Sequence, residues 1–490
     1  MLLNELFEKA PKIEIDNIMV DSREVVNNSI FFCIKGMLND GHDFYRQAIE
    51  NGAVVIVYSD EIDTNVENVT FIKVKDVVSA LGNVADKFYD YPSKQMVMYG
   101  VTGTNGKSTI TSLIKQLLNN YKKCGYIGTI SIEYGNVVLP PLLTTPSILD
   151  LQYYLSKMVE ASVKACALEV SSIGIEQKRV DNIDFDVCVF TNLTHDHLDY
   201  HGTIDNYFKA KKRLFDNMKI DGKVITNIDD EYGLAIVADT KAKVYTYGIN
   251  KEADYQATNI EILKNKTIFT LKCNGNEYRL KTNLVATFNV YNVLAAIAAL
   301  NVSGISIADI LKNLENLTNI EGRMHNIEMG QPFNIIVDFA HTPDGLEKVF
   351  QYAANITSTK NRIIAVFGSA GKRDTKKRKI FGELANKYCD LIILTEDDPR
   401  DEEVVDIANE IAEGITDKNY VIIEDRYNAI RQAIDIANSA DTILILGKGD
   451  ETFIYREFGR EPYIGDHKAC KEILEKYYLE GFEPNINNNL

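Results

Sequence analysis

The segment QMVMYGVTGTNGKSTITSLIKQLLNNY (95–121) constrains this chain most: an apolar run, then a glycine-rich loop, then apolar residues at helical spacing. An apolar strand that does not alternate is covered on both faces, and one that leads straight into a helix returns by a crossover. The segment therefore predicts a parallel sheet layered between helices. The loop Gly103, Thr104, Asn105, Gly106, Lys107, Ser108, Thr109 lies where free backbone N–H groups and a helix dipole hold phosphates. Lys107 is expected to reach the β and γ phosphates of ATP, and Ser108 or Thr109 to offer a hydroxyl to Mg²⁺. The strict pattern GxxxxGK[ST] is not met, because Val101 stands where its first glycine would be. A plain glycine turn ahead of a helix cap is the alternative, which the strand–loop–helix context disfavours.

The rest of the chain divides around this unit. Residues 1–92 read as short strands and one helix (IDNIMVDS, SIFFCI, DFYRQAIENGA, VVIVYS), ending at a linker near Pro92. Residues 93–325 continue with the apolar runs KACALEV and FDVCVFTN, which predict parallel strands, and with alternating runs from about 245 to 285, which predict appended antiparallel strands. Over 326–490 the strands FNIIVDFA, NRIIAVFGS, DLIILTE, YVIIED and DTILILGK alternate with helical segments, predicting a separate Rossmann-like domain. The expected fold is thus α/β in three domains.

With 490 residues and 45% hydrophobic content, the net charge of -17 belongs to a globular chain and not to a disordered acidic tail. It excludes a general nucleic-acid binder, which needs a basic footprint. No run approaches the length of a membrane span. The start, MLLNELFEKAPKIEID, lacks a basic region ahead of an apolar stretch, so a cytoplasmic chain is expected. Seven scattered cysteines without a CxxC pair are expected to be inert core thiols.

GTNGKST, LEVSSIGIEQKRV (168–180), TNLTHDHLDYHGTIDNYFKAKKRLF (191–215), FNVYNVLAAIA (288–298), GRM (322–324) and DFAHTPD (338–344) occur in that order. Together they resemble the Mur ligase family. The N-terminal VDSREVVNNSIFFCIKG and DGHDFYRQAIENGA are similar to the nucleotide-sugar domain of its tripeptide-synthetase branch. The resemblance covers nearly the whole chain. It implies an ATP-dependent ligase of peptidoglycan precursor synthesis that joins a diamino acid to UDP-N-acetylmuramoyl-L-alanyl-D-glutamate through an acyl phosphate, acting on small molecules; a monomer is the expectation.

The resemblance also implies roles. Ser108 and Glu169 would hold one magnesium ion, hard oxygen donors for a hard cation. His197 would hold a second, whereas His195 and His201 are read as structural imidazoles. Lys211 would react with CO₂ to a carbamate (N6-carboxylysine) and serve the same metal site. From residues alone, Lys209, Lys211, Lys212 and Arg213 look like one solvated basic face. Asn292 would hold adenine, Asp338 the ribose, and Arg323 the γ-phosphate. Ser22, Arg23 and His42 would lie on the uridine side, and Thr144, Thr145, Ser171, Gln177 and Arg179 around the muramoyl dipeptide. Two departures touch these motifs, Phe339 where tyrosine is common and Ile173 where histidine is usual.

In LTEDDPRDE (394–402), Arg400 matches the arginine of a DNPR motif that would grip the distal carboxylate of diaminopimelate, with Asp397 beside it. Asp398 replaces that motif's asparagine. In GKGDE (447–451), Gly447 and Glu451 are retained while Asp450 replaces histidine, and Arg373 of GKRDTKKR matches a further arginine of the pocket. Three acids together favour a substrate ammonium. Meso-diaminopimelate is the expected amino acid, with L-lysine or another amino acid as the alternative. A folylpolyglutamate synthase would show GTNGKGS and no nucleotide-sugar domain. A non-catalytic nucleotide switch would not need Lys107, Glu169, His197 and Lys211 together.

Overall fold

The computed structural model describes residues 1–36, 39–119, 121–318, 320 and 322–479. Near the N-terminus β1 (Asn17–Met19), β2 (Ser29–Phe32), β3 (Ala53–Tyr58) and β4 (Thr70–Lys73) form a parallel sheet in that order. Besides the expected helix (Tyr45–Glu50), this unit has a longer one that the sequence reading does not count, Val77–Phe88. Asp76 caps it by accepting from the N–H of Ser79, and Val77, Leu81, Val84 and Ala85 bury against Leu3, Ile18, Ile30 and Val55.

The central sheet contains β5 (Val97–Thr102), β6 (Cys124–Ile127), β7 (Ile132–Tyr134), β8 (Val137–Leu139), β9 (Ala165–Glu169), β10 (Val187–Phe190), β11 (Lys223–Asn227), β12 (Lys243–Gly248), β13 (Tyr255–Leu263), β14 (Lys266–Cys273) and β15 (Asn276–Thr282). Its order is β15-β14-β13-β12-β11-β10-β5-β9-β6-β7-β8. Strand β5 lies between β9 and β10, parallel to both. The chain leaves β5 toward β6 on one side and later reaches β10 on the other, so the glycine loop sits at a topological switch point, where open α/β sheets bind ligands.

The segment from 245 to 285 corrects the sequence reading in part. Strands β13, β14 and β15 are antiparallel, but β12 runs parallel to both β11 and β13. Alternation reports that one face of a strand is covered; it does not report the direction of the neighbours. The Thr287–Val302 helix is buried on nearly all sides, packed with the Lys107–Leu118 helix.

The third sheet contains β16 (His325–Asn326), β17 (Asn334–Asp338), β18 (Ile363–Phe367), β19 (Leu391–Leu394), β20 (Asn419–Ile422) and β21 (Thr442–Leu446). Its order is β16-β17-β21-β18-β19-β20, parallel except for β16. Apolar residues on its two faces belong to separate cores, as the unbroken apolar runs require. A hairpin of β22 (Phe453–Arg456) and β23 (Gly459–Pro462) follows. All seven cysteines are free and buried. Among the described residues no helix is long and apolar enough to cross a membrane.

Candidate active site

The loop after β5 is shaped by two glycines. Gly103 (φ +152°) and Gly106 (φ +90°) pass so close to their neighbours that a Cβ would stand 1.8 Å from Thr191 Oγ1 and 2.7 Å from Asn292 Oδ1 respectively. The loop is held from β10's end, where Asn192 O accepts from the N–H of Thr104 at 2.8 Å and Asn192 Oδ1 from that of Asn105 at 2.9 Å. Lys107 opens the helix and folds back over the loop, donating to the carbonyls of Gly103 (3.0 Å) and Thr104 (2.8 Å).

Glu169, the last residue of β9, is completely buried beside this helix start. Its carboxylate accepts from Ser108 Oγ (2.9 Å), Tyr126 OH (2.6 Å), Thr129 N (3.0 Å) and Thr129 Oγ1 (3.2 Å). Sequence reasoning misses Tyr126 and Thr129; they lie on and after β6, with no motif to mark them. The donor set of Ser108 and Glu169, hydroxyl and carboxylate oxygens, fits Mg²⁺.

The four cations around residue 211 separate in space. Lys209, Lys212 and Arg213 pair with Asp205, Asp216 and Asp181 toward the surface. Lys211 is 1% exposed, lies over the Tyr207 ring, and donates to the carbonyl of Gly103 at 3.0 Å. Burial, and then the charge of Lys107, holds its ammonium well below the ordinary lysine range. His197 (φ 53°) caps the short Leu198–His201 helix and lies 3.4 Å from Asp196. Burial lowers its pKa too. Asp196 is not singled out by the sequence. Burial raises it, but His197, His341, Lys377 and Lys107 outweigh that and bring it down to about 2, so it stays an anion.

His201 is buried, with Nε2 3.0 Å from Ser172 Oγ and Nδ1 3.2 Å from Glu176. His195 does something the sequence could not show: its Nε2 lies 2.5 Å from Asp374, and Arg373 approaches Asp199 at 3.4 Å, so the 373–374 turn meets the central sheet's THDH loop.

Between the central and third sheets lies a cavity of about 300 Å³ lined by Asn105, Thr109, Asn292, Arg323, Asp338 and Phe339, among others. Asn292 donates to Asn289 Oδ1 at 2.9 Å. The Arg323 guanidinium stacks 4.2 Å from the Phe339 ring centre and approaches Ser108 Oγ at 3.5 Å; its Nε is buried without a hydrogen-bond partner among the described residues. The phenylalanine that departs from the motif is thus a platform for that arginine. Asp338 accepts from the N–H groups of Met324 (2.7 Å) and Ala340 (2.8 Å), fixing the segment that carries Arg323, and burial raises its pKa.

Thr144, Thr145, Ser171, Gln177 and Arg179 come together beside Glu169. Thr145 Oγ1 donates to Glu169 O (2.8 Å), Thr144 Oγ1 lies 3.1 Å from Thr129 Oγ1, and Arg179 reaches Thr145 O (2.7 Å) and Gln177 Oε1 (2.6 Å). Ser171 caps the helix at 172–176. In the N-terminal sheet Ser22 donates to Gln47 (2.6 Å), and Arg23 pairs with Asp21 at the surface. His42 is buried with Nδ1 2.6 Å from Asp40, while its Nε2 accepts from the N–H of Ser59 (3.1 Å), so the imidazole shapes the 40–60 loops.

The third sheet gathers the remaining residues. Arg400 (φ 58°) stacks on Tyr455 at 5.0 Å, and its Nε is buried without a partner among the described residues. Asp398 and Glu451 flank Lys448, which the sequence does not single out: its ammonium donates to Asp398 Oδ1 (2.8 Å) and Glu451 Oε2 (2.5 Å). Burial raises Asp397, and raises Glu451 to about 7. The loop carrying these groups touches the Arg323 segment directly. Gly322 and Gly449 cross so closely that a Cβ on Gly322 would stand 2.5 Å from Gly449 C, and one on Gly449 2.8 Å from Gly322 O.

Comparison with known proteins agrees along the chain. Residues 101–300 match the Mur ligase middle domain, 322–449 the Mur ligase glutamate ligase domain, and 14–89 the catalytic domain of the Mur ligase family. The chain is 41% identical over 478 residues to a UDP-N-acetylmuramoyl-L-alanyl-D-glutamate–2,6-diaminopimelate ligase of Clostridium acetobutylicum, covering 96% of each. It is 40% identical over 471 residues to the ligase of the same description in Clostridioides difficile, covering 95% of this chain and 96% of that one. A solved structure of such a ligase superimposes with a TM-score of 0.69 at 27% identity, covering 99% of this chain and 100% of the other.

Proposed function

Because this chain belongs to the Mur ligase family, we propose that its three α/β units close on one reaction, the ATP-dependent joining of meso-diaminopimelate to UDP-N-acetylmuramoyl-L-alanyl-D-glutamate. The chain is an ATP-dependent ligase, and the reaction belongs to peptidoglycan precursor synthesis. The boundaries 1–92, 93–325 and 326–490 divide the labour between nucleotide sugar, ATP and amino acid. We further propose a cytoplasmic monomer.

A carboxylate is a poor acyl donor, since an attacking amine has no competent leaving group to displace. Transfer of the γ-phosphoryl group to a carboxylate of the D-glutamyl residue gives an acyl phosphate and ADP. The amine of diaminopimelate then attacks the acyl carbon, and the C–O bond to phosphate breaks, releasing inorganic phosphate. The reacting groups are all anionic, so charge must be managed locally. Lys107 and the N–H groups of residues 103–109 bind the phosphates, and Arg323 faces the transferring group. Asn292 meets the adenine and Asp338 the ribose. Ser108 and Glu169 would hold one magnesium ion, and His197 with the Lys211 carbamate a second; such ions neutralise phosphate charge and align the attacking carboxylate. Ser22, Arg23 and His42 serve the uridine end, and Thr144, Thr145, Ser171, Gln177 and Arg179 the dipeptide. Arg373, Asp397, Asp398, Arg400, Gly447 and Glu451 form the amino-acid pocket.

The observation that carries this mechanism is the burial of Lys211 against the phosphate loop. A neutral amine adds to CO₂ and loses a proton, giving a carbamate, and this environment favours the neutral amine. The product sets an anion with two oxygen donors beside the Lys107 cation. The test is phosphate release with UDP-N-acetylmuramoyl-L-alanyl-D-glutamate, ATP, Mg²⁺ and a panel of amino acids. Release dependent on meso-diaminopimelate is expected. No release with any amino acid would refute the ligase reading, and preference for L-lysine would refute only the specificity.

A further inference from the structure

Two of the acids that the sequence offers to a substrate ammonium, Asp398 and Glu451, already hold one of the protein's own. Lys448 follows Gly447 in the turn after β21 and is 0% exposed. Asp398, Glu451 and Asp397 all help to keep it an ammonium against burial. The contact to Asp398 is reinforced from the hairpin, because the N–H of Tyr455 donates to the same Oδ1 at 3.0 Å. Asp398 is thereby a strut between the 397–400 loop and β22, and the ring of Tyr455 supports Arg400. Arg400 contributes the cation whose Nε lacks a partner within the described residues.

Charge counting shows what this does. Asp397, Asp398 and Glu451 supply three carboxyl groups, opposed by Lys448 and Arg400. The far end of diaminopimelate carries a carboxylate and an ammonium; that of lysine carries an ammonium alone. Without Lys448, Asp398 and Glu451 lose the ammonium that occupies them, and a substrate ammonium can take its place between the two carboxyl groups, an arrangement suited to lysine.

We infer that Lys448 sets the amino-acid specificity of this pocket, its buried ammonium taking up Asp398 and Glu451 so that Arg400 decides which substrate end is accepted. Lys448 is a positioning residue, since it acts through the two acids and Arg400. It explains how a chain with aspartate at 398 keeps a site for a distal carboxylate: the added negative charge is cancelled internally. The inference rests on the diaminopimelate reading.

The test is the ratio of kcat/KM for meso-diaminopimelate to that for L-lysine, measured by phosphate release in the full chain. Wild type establishes whether diaminopimelate is used at all, which judges the underlying reading separately. Lys448→Met is expected to shift the ratio at least tenfold toward lysine, and Asp398→Asn at least threefold toward diaminopimelate. The double variant Lys448→Met/Asp398→Asn is expected to lie between the two. In Asp398→Asn the amide oxygen still accepts from Lys448 and Tyr455, so the second variant folds even if exposing buried acids unfolds the first. An unmoved ratio in a folded Lys448→Met enzyme, with both substrates impaired equally, overturns the inference in favour of a merely structural lysine. So does an Asp398→Asn ratio that is unchanged or moves toward lysine.

Discussion

Arg400→Ala separates recognition of the distal carboxylate from the architecture that holds it. Arg400 has a left-handed backbone (φ 58°), a cost that alanine bears equally. Its N–H donates to Tyr455 O at 3.0 Å, a bond the substitution keeps. The turn therefore survives and two terms are lost. Stacking on Tyr455 contributes about 0.5–1 kcal/mol at a partly exposed site. A charge-assisted pair with a substrate carboxylate is worth about 2–5 kcal/mol, or roughly 30-fold to several thousandfold in affinity. Steady-state phosphate release should show kcat/KM for meso-diaminopimelate falling at least tenfold, chiefly through KM, with L-lysine use level or improved. Arg400→Lys should fall between, since it keeps a charge and loses the planar fork. Equal losses for both amino acids would show that Arg400 only holds the loop, and an undiminished rate with diaminopimelate would remove it from recognition.

Lys107→Ala should abolish turnover with an unchanged circular dichroism spectrum, because the ammonium contacts loop carbonyls and no apolar core; normal turnover would sink its assignment to phosphate. Lys211→Ala should lose activity that formate or bicarbonate partly restores, and wild type should carry an extra CO₂ mass in carbonate buffer; a fully active alanine variant would return Lys211 to a structural role. His341 is lowered to about 4, first by burial and then by Lys377. Its contribution to stability is present above the ordinary histidine value near 6.5 and lost as pH falls toward 4, about 3 kcal/mol by pH 4. Thermal melts from pH 7 to 4 should therefore show wild type losing stability relative to His341→Gln as pH falls, and parallel curves would contradict this.

Legibility in the sequence followed locality. Strands β17 to β21 announce themselves because each is an unbroken apolar run bounded by turns, and Gly103 and Gly106 mark a loop whose function is written in consecutive residues. Glu169 is legible through its motif, but Tyr126 and Thr129, which share its carboxylate, come from a neighbouring strand some 40 residues away. The 209–213 run shows the limit most plainly: four cations share one helix, and only packing against Tyr207 and the phosphate loop distinguishes Lys211. The His195–Asp374 contact spans two sheets and leaves no trace in spacing. Lys448 is in view within GKGDE, yet its role depends on Asp398, fifty residues earlier.

The crossing of Gly322 and Gly449 divides the third unit into a part that can be rewritten and a part that cannot. Both residues have positive φ, and the nearest neighbours a Cβ would strike are backbone atoms, which have no rotamer by which to yield. A saturation library should return glycine alone at either position, while 398 and 400 accept exchanges that redirect the choice of amino acid. Selectivity can therefore be traded by side chains hung on a fixed backbone joint, and a ligase retargeted to another amino acid would inherit the placement of Arg323 unaltered.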